Sequence, residues 1–428
     1  MIRKAAFLAA LSFACALPAV VSPVWADEPD GLKLLPGFHA EVVTTGLTGL
    51  RHLAVRDDHT IYASTRGGGR GGAANPGIIV LDVDAHHKAD KTAHFGAING
   101  GTGIRIHGNW LYTSSNAAVY RFALKKGEEV PSAAPQTIVT GMPTNGFSNR
   151  ILAFDGAGAL YVTVGGSGNI CVDNPPKGQK PKGLHPCPGV TGRGGVWKFD
   201  ANKLNQKFPD DGIQVATGLR DSVSMDYRRG DAVYLFMHDR ADTHITWPQQ
   251  FSEQDENDLA EELHRFAGKG VVNMGWPYTY YDSARKMRLM APEYGGDDKI
   301  GPPPGIYDKP IFTFNRSHSA PLDLLFYYGR QFPASYRGGA FVVRHGGTGP
   351  DLAEGHNGYD VVFIPLSGNG KPGAPVTFID GFAGSTPAAK NASKATYRPG
   401  GIAVAPDGSL YVSDTQKGRI WHVWYDGK

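Results

Sequence analysis

Four arginines and one histidine, placed at recurring points of the chain, are the residues best suited to chemistry. Between His318 and Gly347 the chain reads HSAPLDLLFYYGRQFPASYRGGAFVVRHGG. An apolar strand and a Gly/Pro-punctuated loop lead to a second strand, AFVV, which ends on Arg344-His345-Gly346-Gly347. This pattern delivers a cation and a proton acceptor into a glycine turn, where backbone can approach a ligand closely. Arg51, Arg220, Arg344 and Arg398 stand at comparable edges of short strand repeats. Guanidinium groups gathered around one axis would bind a polyanion through paired N–H donors. Ordinary salt bridges between neighbouring elements account equally well for the same spacing.

The elements that must position these residues follow one repeated pattern: an apolar strand, a Gly/Asp turn, then a strand carrying an aromatic. It recurs around Tyr62, Tyr112, Tyr161, Tyr234, Phe341 and Tyr411. The first three copies lie about 50 residues apart, as four-stranded blades would. Six copies predict an all-β fold, a six-bladed β-propeller with loop insertions, in preference to a pair of β-sandwiches. The last strand, Arg419–Tyr425, should share a closing blade with an N-terminal strand near Phe38–Val43. The insertion Gln249–Lys269 spaces Leu259, Leu263 and Phe266 helically, with Gly268 able to end the turn, and predicts one short helix. Its acids Glu253, Asp255, Glu256, Asp258, Glu261 and Glu262 match no calcium loop and read as the solvated face of that helix.

Residues 1–26 read as a secretory signal peptide: Arg3 and Lys4, an apolar core, and a cleavage-like Pro23-Val24-Trp25-Ala26. The apolar run is too short for a membrane anchor. The expectation is a periplasmic or secreted protein with one domain over 27–428 and no membrane span after processing. The mature chain keeps Cys171 and Cys187, which an oxidising compartment should join as a disulfide. Without Arg3 and Lys4 the formal charge falls from +3 to +1, and no basic run is interleaved with aromatics. Nucleic acid is therefore not an expected partner.

Other signals carry less. Arg66–Gly72 contains a G-x-G-x-x-G pattern, but a β-like run follows it where a dinucleotide site needs a helix. His86-His87, near Asp84 and Asp90, lack a regular metal-ligand spacing. No Gly-x-Ser-x-Gly is present, which removes support for a nucleophile-elbow hydrolase.

Certain runs carry a resemblance. They are Gly218-Leu219-Arg220, Asn273-Met274-Gly275-Trp276-Pro277-Tyr278, His318-Ser319-Ala320-Pro321, Gln331–Phe341, His345-Gly346 and Arg398–Asp414. On these the chain, from about Arg51 to Tyr425, resembles the pyrroloquinoline-quinone (PQQ) dependent sugar dehydrogenase propellers, the glucose/sorbosone and pyranose dehydrogenase relatives. The resemblance implies PQQ and Ca²⁺ over the central channel and oxidation of a sugar or polyol hydroxyl. It implies Arg51, Arg220 and Arg398, with Arg240, for the three quinone carboxylates. His345 would be the catalytic base, with His318 and His238 as further candidates, and His318, Arg344 and Asp414 would stand near the cofactor. Hydride would pass to the quinone. No C-x-x-C-H haem motif occurs, so electrons would leave to a separate acceptor, a cytochrome or a quinone.

The chain departs from these relatives in three places. Asn145–Arg150 contains no His where the soluble glucose dehydrogenases carry their base. Gly347-Thr348-Gly349-Pro350 follows His345-Gly346 where Ser-Trp-Asn-Arg is usual, and Asp221 replaces the Asn after Gly-Leu-Arg. Two alternatives follow: a sugar- or ligand-binding propeller without the quinone, and a Ca²⁺-dependent propeller lactonase.

Overall fold

Alternation of apolar and small polar residues produces six antiparallel sheets arranged around one axis in a computed structural model. It describes residues 25–68, 72–176, 179–268, 270–314, 318–348 and 353–427. Most of the expected signal peptide (1–24) and the Gly349-Pro350 pair lie outside the described residues.

The innermost strands of blades 1 to 6 are Leu50–Val55, Ile104–His107, Leu152–Phe154, Asp221–Tyr227, Pro321–Phe326 and Pro399–Val404. The second strands are Ile61–Thr65, Trp110–Ser114, Ala159–Val164, Val233–His238, Ala340–Arg344 and Leu410–Asp414. Each second strand carries one of the six aromatics on which the repeat was read. Tyr62, Tyr112, Tyr234, Phe341 and Tyr411 are fully buried there. Three of these tyrosines reach into the next blade. Tyr62 donates to the Glu129 carbonyl oxygen (2.8 Å), Tyr112 to Ala201 (2.9 Å) and Tyr234 to Gly370 (3.3 Å). The repeat is thus a packing device: a large apolar ring fills the blade and its hydroxyl fastens the neighbour.

The ring closes as expected. Phe38–Thr44 pairs antiparallel with Ile420–Tyr425 as the outer strand of blade 6. Just upstream, Lys33–Leu34 adds to the edge of blade 5 against Ile379–Asp380, and Ala26–Asp27 pairs with Lys33–Leu34. The N-terminal segment therefore joins two blades.

Two short helices occur where one was expected, Thr243–Thr246 and Glu253–Asn257. The second begins in a capping box between Ser252 and Asp255. The helical reading of Leu259–Phe266 is corrected: Glu262–Phe266 is the third strand of blade 4, paired with Val233–Met237. The solvated-face reading holds for Glu253, which is exposed, but Glu256, Glu261 and Glu262 are buried. Glu262 is buried against Arg288 and against His264 (3.0 Å), so local partners supply the charge compensation that water would otherwise give.

Partway down the channel, Arg105 Nη2 meets buried Asp323 (2.9 Å), whose other oxygen accepts from Ile402 N (3.1 Å). This ties blades 2, 5 and 6 together. Beyond this point the channel widens into a cavity of about 1120 Å³ at the far ends of the innermost strands. The near ends form the opposite face, where the arginines stand.

Candidate active site

The near ends share a structural irregularity. In blades 1, 4, 5 and 6 the inner strand carries one extra residue immediately after its first pair, at Leu50/Leu53, Asp221/Ser224, Pro321/Asp323 and Pro399/Gly401. Such bulges re-aim side chains at a strand terminus. Arg220 and Arg398 occupy equivalent positions, each just before the first paired residue. Arg51 sits two residues further along, inside the blade 1 bulge. Arg344 stands instead on the second strand of blade 5.

The arginines divide by partner. Arg344 is bound in two-pronged fashion by Asp360, with Nε at 2.7 Å, and Arg240 is paired with Glu293 (3.0 Å). Both expected ligand-binding cations are therefore already matched by carboxylates. Arg51, Arg220 and Arg398 have no carboxylate partner within ion-pair distance among the described residues, and neither does Arg66. The Arg51 Nε is buried and makes no hydrogen bond. Burial, with Arg66 and Arg398 nearby, pulls the Arg51 pKa down to about 10. Burial also lowers Arg220 and Arg398. Arg51, with like charges on either side, favours an anion beside it, while Arg220 feels Asp221, Asp239 and Asp242, and Arg398 feels Asp414.

Arg220 is held in place from the disulfide-bearing loop. Its Nε donates to Asn169 Oδ1 (3.1 Å), and its guanidinium lies 4.7 Å from the Phe147 ring centroid. Asn169 also bonds Ala241 in both directions (2.6 and 2.9 Å). The Cys171–Cys187 bridge closes that loop, as expected.

His345 lies between these cations. Its N–H donates to the Ala320 carbonyl (3.0 Å) and its Nε2 meets Thr415 Oγ1 at 2.8 Å. Thr415 Oγ1 donates to the Arg398 carbonyl (3.4 Å), so it accepts from His345 Nε2–H, which leaves the lone pair on Nδ1. Burial first, then the charges of Arg398 and Arg51, hold His345 well below the usual histidine range. It is a neutral imidazole at neutral pH, the state a base requires. Gly346 follows at φ +100°, and a Cβ there would meet the Tyr359 ring at 2.2 Å, so only glycine fits this turn.

His318 has the opposite character. Its ring nitrogens lie 3.6 Å from Asp239 and 3.5 Å from Glu256. Against the effect of burial, Asp239 and Glu256 lift its pKa to about 9. It is an imidazolium, and so cannot accept a proton. His238 Nε2 meets the Pro321 carbonyl (2.9 Å) and its Nδ1 lies 3.9 Å from Asp221. Asp414 is fully buried and accepts from the backbone N–H groups of Arg398, Gln416 and Lys417 (2.6, 3.0 and 2.6 Å). It shapes the turn that presents Arg398.

Sequence reasoning missed Arg66 and Asn149. Arg66 Nη1 donates to Asn149 Oδ1 (3.2 Å), whose Nδ2 donates to Asp221 (3.3 and 3.4 Å). Arg66 opens the glycine-rich run whose G-x-G-x-x-G pattern carries no dinucleotide site. Its place directly after the second strand of blade 1, like His345 after that of blade 5, was the available signal.

Six blades around one axis, with arginines at the near ends of the inner strands, make the chain a six-bladed β-propeller. More narrowly, the chain belongs to the TrAA12-like family, whose sequence pattern matches residues 32–280 and 302–426. Its fold is similar to the PQQ domain of pyranose dehydrogenase from Coprinopsis cinerea in its holo form, at TM-score 0.69 and 20% identity over 92% of this chain and 97% of that one. It is similar to the family AA12 carbohydrate-active enzyme of Trichoderma reesei, in a calcium structure, at TM-score 0.73 and 17% identity over 95% and 98%. The PQQ-bound aldose sugar dehydrogenase of Streptomyces coelicolor matches at 0.55 and 16% over 91% and 99%. No curated protein matches the chain by sequence.

Proposed function

We propose that this protein is an exported dehydrogenase that oxidises a sugar or polyol hydroxyl with bound PQQ. One observation carries this reading: Arg51 and Arg398, half-buried cations without carboxylate partners among the described residues, stand beside neutral His345 at the channel mouth, and Arg220 occupies the position equivalent to Arg398 on blade 4. A tricarboxylate fits that donor set, because guanidinium forks match carboxylates and relieve their mutual repulsion. When bound, PQQ with Ca²⁺ supplies the hydride acceptor and the Lewis acid.

The chain's own residues would do the rest. Arg51, Arg220 and Arg398 hold the carboxylates. His345 Nδ1 takes the proton of the substrate hydroxyl, and Thr415 fixes the tautomer that leaves Nδ1 free. His318, a cation matched by Asp239 and Glu256, takes no part in proton transfer. The family resemblances of the described structures, all to proteins active on or named for sugars, support the substrate class. The absence of a haem motif supports a separate electron acceptor.

The lactonase alternative loses its ligands. Glu261 binds Ser319 Oγ and Ala320 N (2.6 Å), while Glu256 accepts from the N–H groups of Asp242 (2.7 Å) and His244 (2.9 Å). Their oxygens are committed to protein donors.

The test is to add PQQ and Ca²⁺ to the purified protein, then follow the bound-quinone spectrum and sugar-dependent dye reduction. Quinone binding with turnover supports the proposal. No binding overturns it in favour of a propeller that holds a different ligand.

A further inference from the structure

On the face away from the arginines, the junction between blades 6 and 1 is fastened in its own way. In blades 1, 2 and 4 a second-strand tyrosine reaches a carbonyl oxygen of the next blade. Here Tyr411 meets a side chain, His87 Nδ1, at 2.9 Å. His87 stands on the turn before the last strand of blade 1, at φ +54°. Across the junction are buried His422, on the third strand of blade 6, and exposed Asp407, on its first turn. His87, His422 and Asp407 each offer a ligand atom, and the three atoms lie within 4.8 Å of one another.

We infer that His87, His422 and Asp407 form a binding site for a late first-row divalent cation such as Zn²⁺, which fastens blade 6 to blade 1. Two imidazoles and a carboxylate suit such ions. The surrounding groups are arranged as ligand-orienting partners usually are. Glu41 Oε1 lies 3.2 Å from His422 Nδ1, so an Nδ1–H donated to that carboxylate leaves the Nε2 lone pair for a metal. Nε2 now faces Ser409 Oγ (2.8 Å), which in turn bonds Asp407 (2.6 Å), so this lone pair points toward the carboxylate. With Nδ1–H of His87 donated to Tyr411 Oη, its Nε2 is likewise left open.

The two rings lie face to face, 3.5 Å between centroids and 11° apart. Coordination therefore requires one ring to swing, and His87, half-buried on a turn, is the one with room. His59 stands 5.8 Å from the His87 ring with a buried Nδ1 that has no hydrogen-bond partner, a candidate fourth ligand.

The site is separate from the proposed quinone face, so its test does not depend on activity. Untagged protein, stripped with a chelator, is titrated with Zn²⁺ and with Co²⁺ as a spectroscopic probe. We expect one equivalent to bind, tetrahedral Co²⁺ bands, and a Tm rise of about 3 °C at a hundredfold excess over Kd. His87→Ala and Asp407→Asn should each weaken binding at least about tenfold, and His86→Ala, a neighbour outside the cluster, should not. Absence of saturable binding, or parent-like affinity in either His87→Ala or Asp407→Asn, overturns the inference.

Discussion

Arg398 grips the backbone that carries His345: its Nε and Nη2 donate to the carbonyl oxygens of His345 (3.3 Å) and Gly346 (2.7 Å). The cation proposed to hold a ligand carboxylate thus also sets the position of the proposed base. Binding and proton transfer share one support, and changes to either should be felt by both.

Arg51 should trade stability for affinity. Its charge is buried beside Arg66 and Arg398 with no counter-ion. Arg51→Gln is expected to raise the Tm of the cofactor-free protein by about 1–2 °C and to weaken PQQ binding at least about tenfold. Melting curves with and without the quinone check both. A less stable free variant with unchanged affinity would place the polyanion elsewhere.

The pH profile should identify the base. His345 is held well below the ordinary histidine midpoint of about 6.5, and a base works in its neutral form, above its own pKa. kcat/KM should therefore stay level as pH falls through about 6.5, with its acid limb lower still. His345→Asn should reduce kcat by roughly 10²–10⁴ while sparing quinone binding. An acid limb centred on the ordinary histidine value would rule out His345 as the base.

His318 should make stability fall in mild alkali. Its folded pKa, about 9, lies above the unfolded value of about 6.5. The contribution is complete below the unfolded value and lost as pH rises through the folded one, on the order of 2 kcal/mol. His318→Gln should lower stability at neutral pH and flatten the decline above it. Denaturant midpoints measured across that range decide the matter, and parallel profiles for parent and variant would count against the ion-pair cage.

Replacing both Cys171 and Cys187 by Ser should cost about 3 kcal/mol of stability. It should also reduce PQQ affinity, because Asn169, which holds Arg220, stands two residues before the bridged Cys171. Asn169→Ala should reproduce the affinity loss without the full stability loss. Isothermal titration of both variants separates the two effects.

What was legible depended on distance along the chain. The six aromatic-bearing hairpins are local patterns, so alternation and turn residues revealed them and the closing pair. Glu262–Phe266 was misread because a buried acid looks like a surface acid until Arg288 is seen beside it. Arg240 and Arg344 looked like ligand-binding cations because Glu293 and Asp360 are brought to them only by folding. His87 suffered most from this. Its neighbours in sequence offer no ligand spacing, and its partners Asp407 and His422 come from the far end of the chain.

The closing of blade 6 sets an order of events for the newly made chain. Phe38–Thr44 has no partner until Ile420–Tyr425 has been delivered, about 380 residues later. A contact of such sequence separation is slow to find. Until it forms, the molecule is an open arc with unpaired strand edges, able to pair with other chains. Loss of the final strand would leave that arc permanently open, so trimming the C-terminal strand should turn the protein into an aggregating species without touching the arginine face.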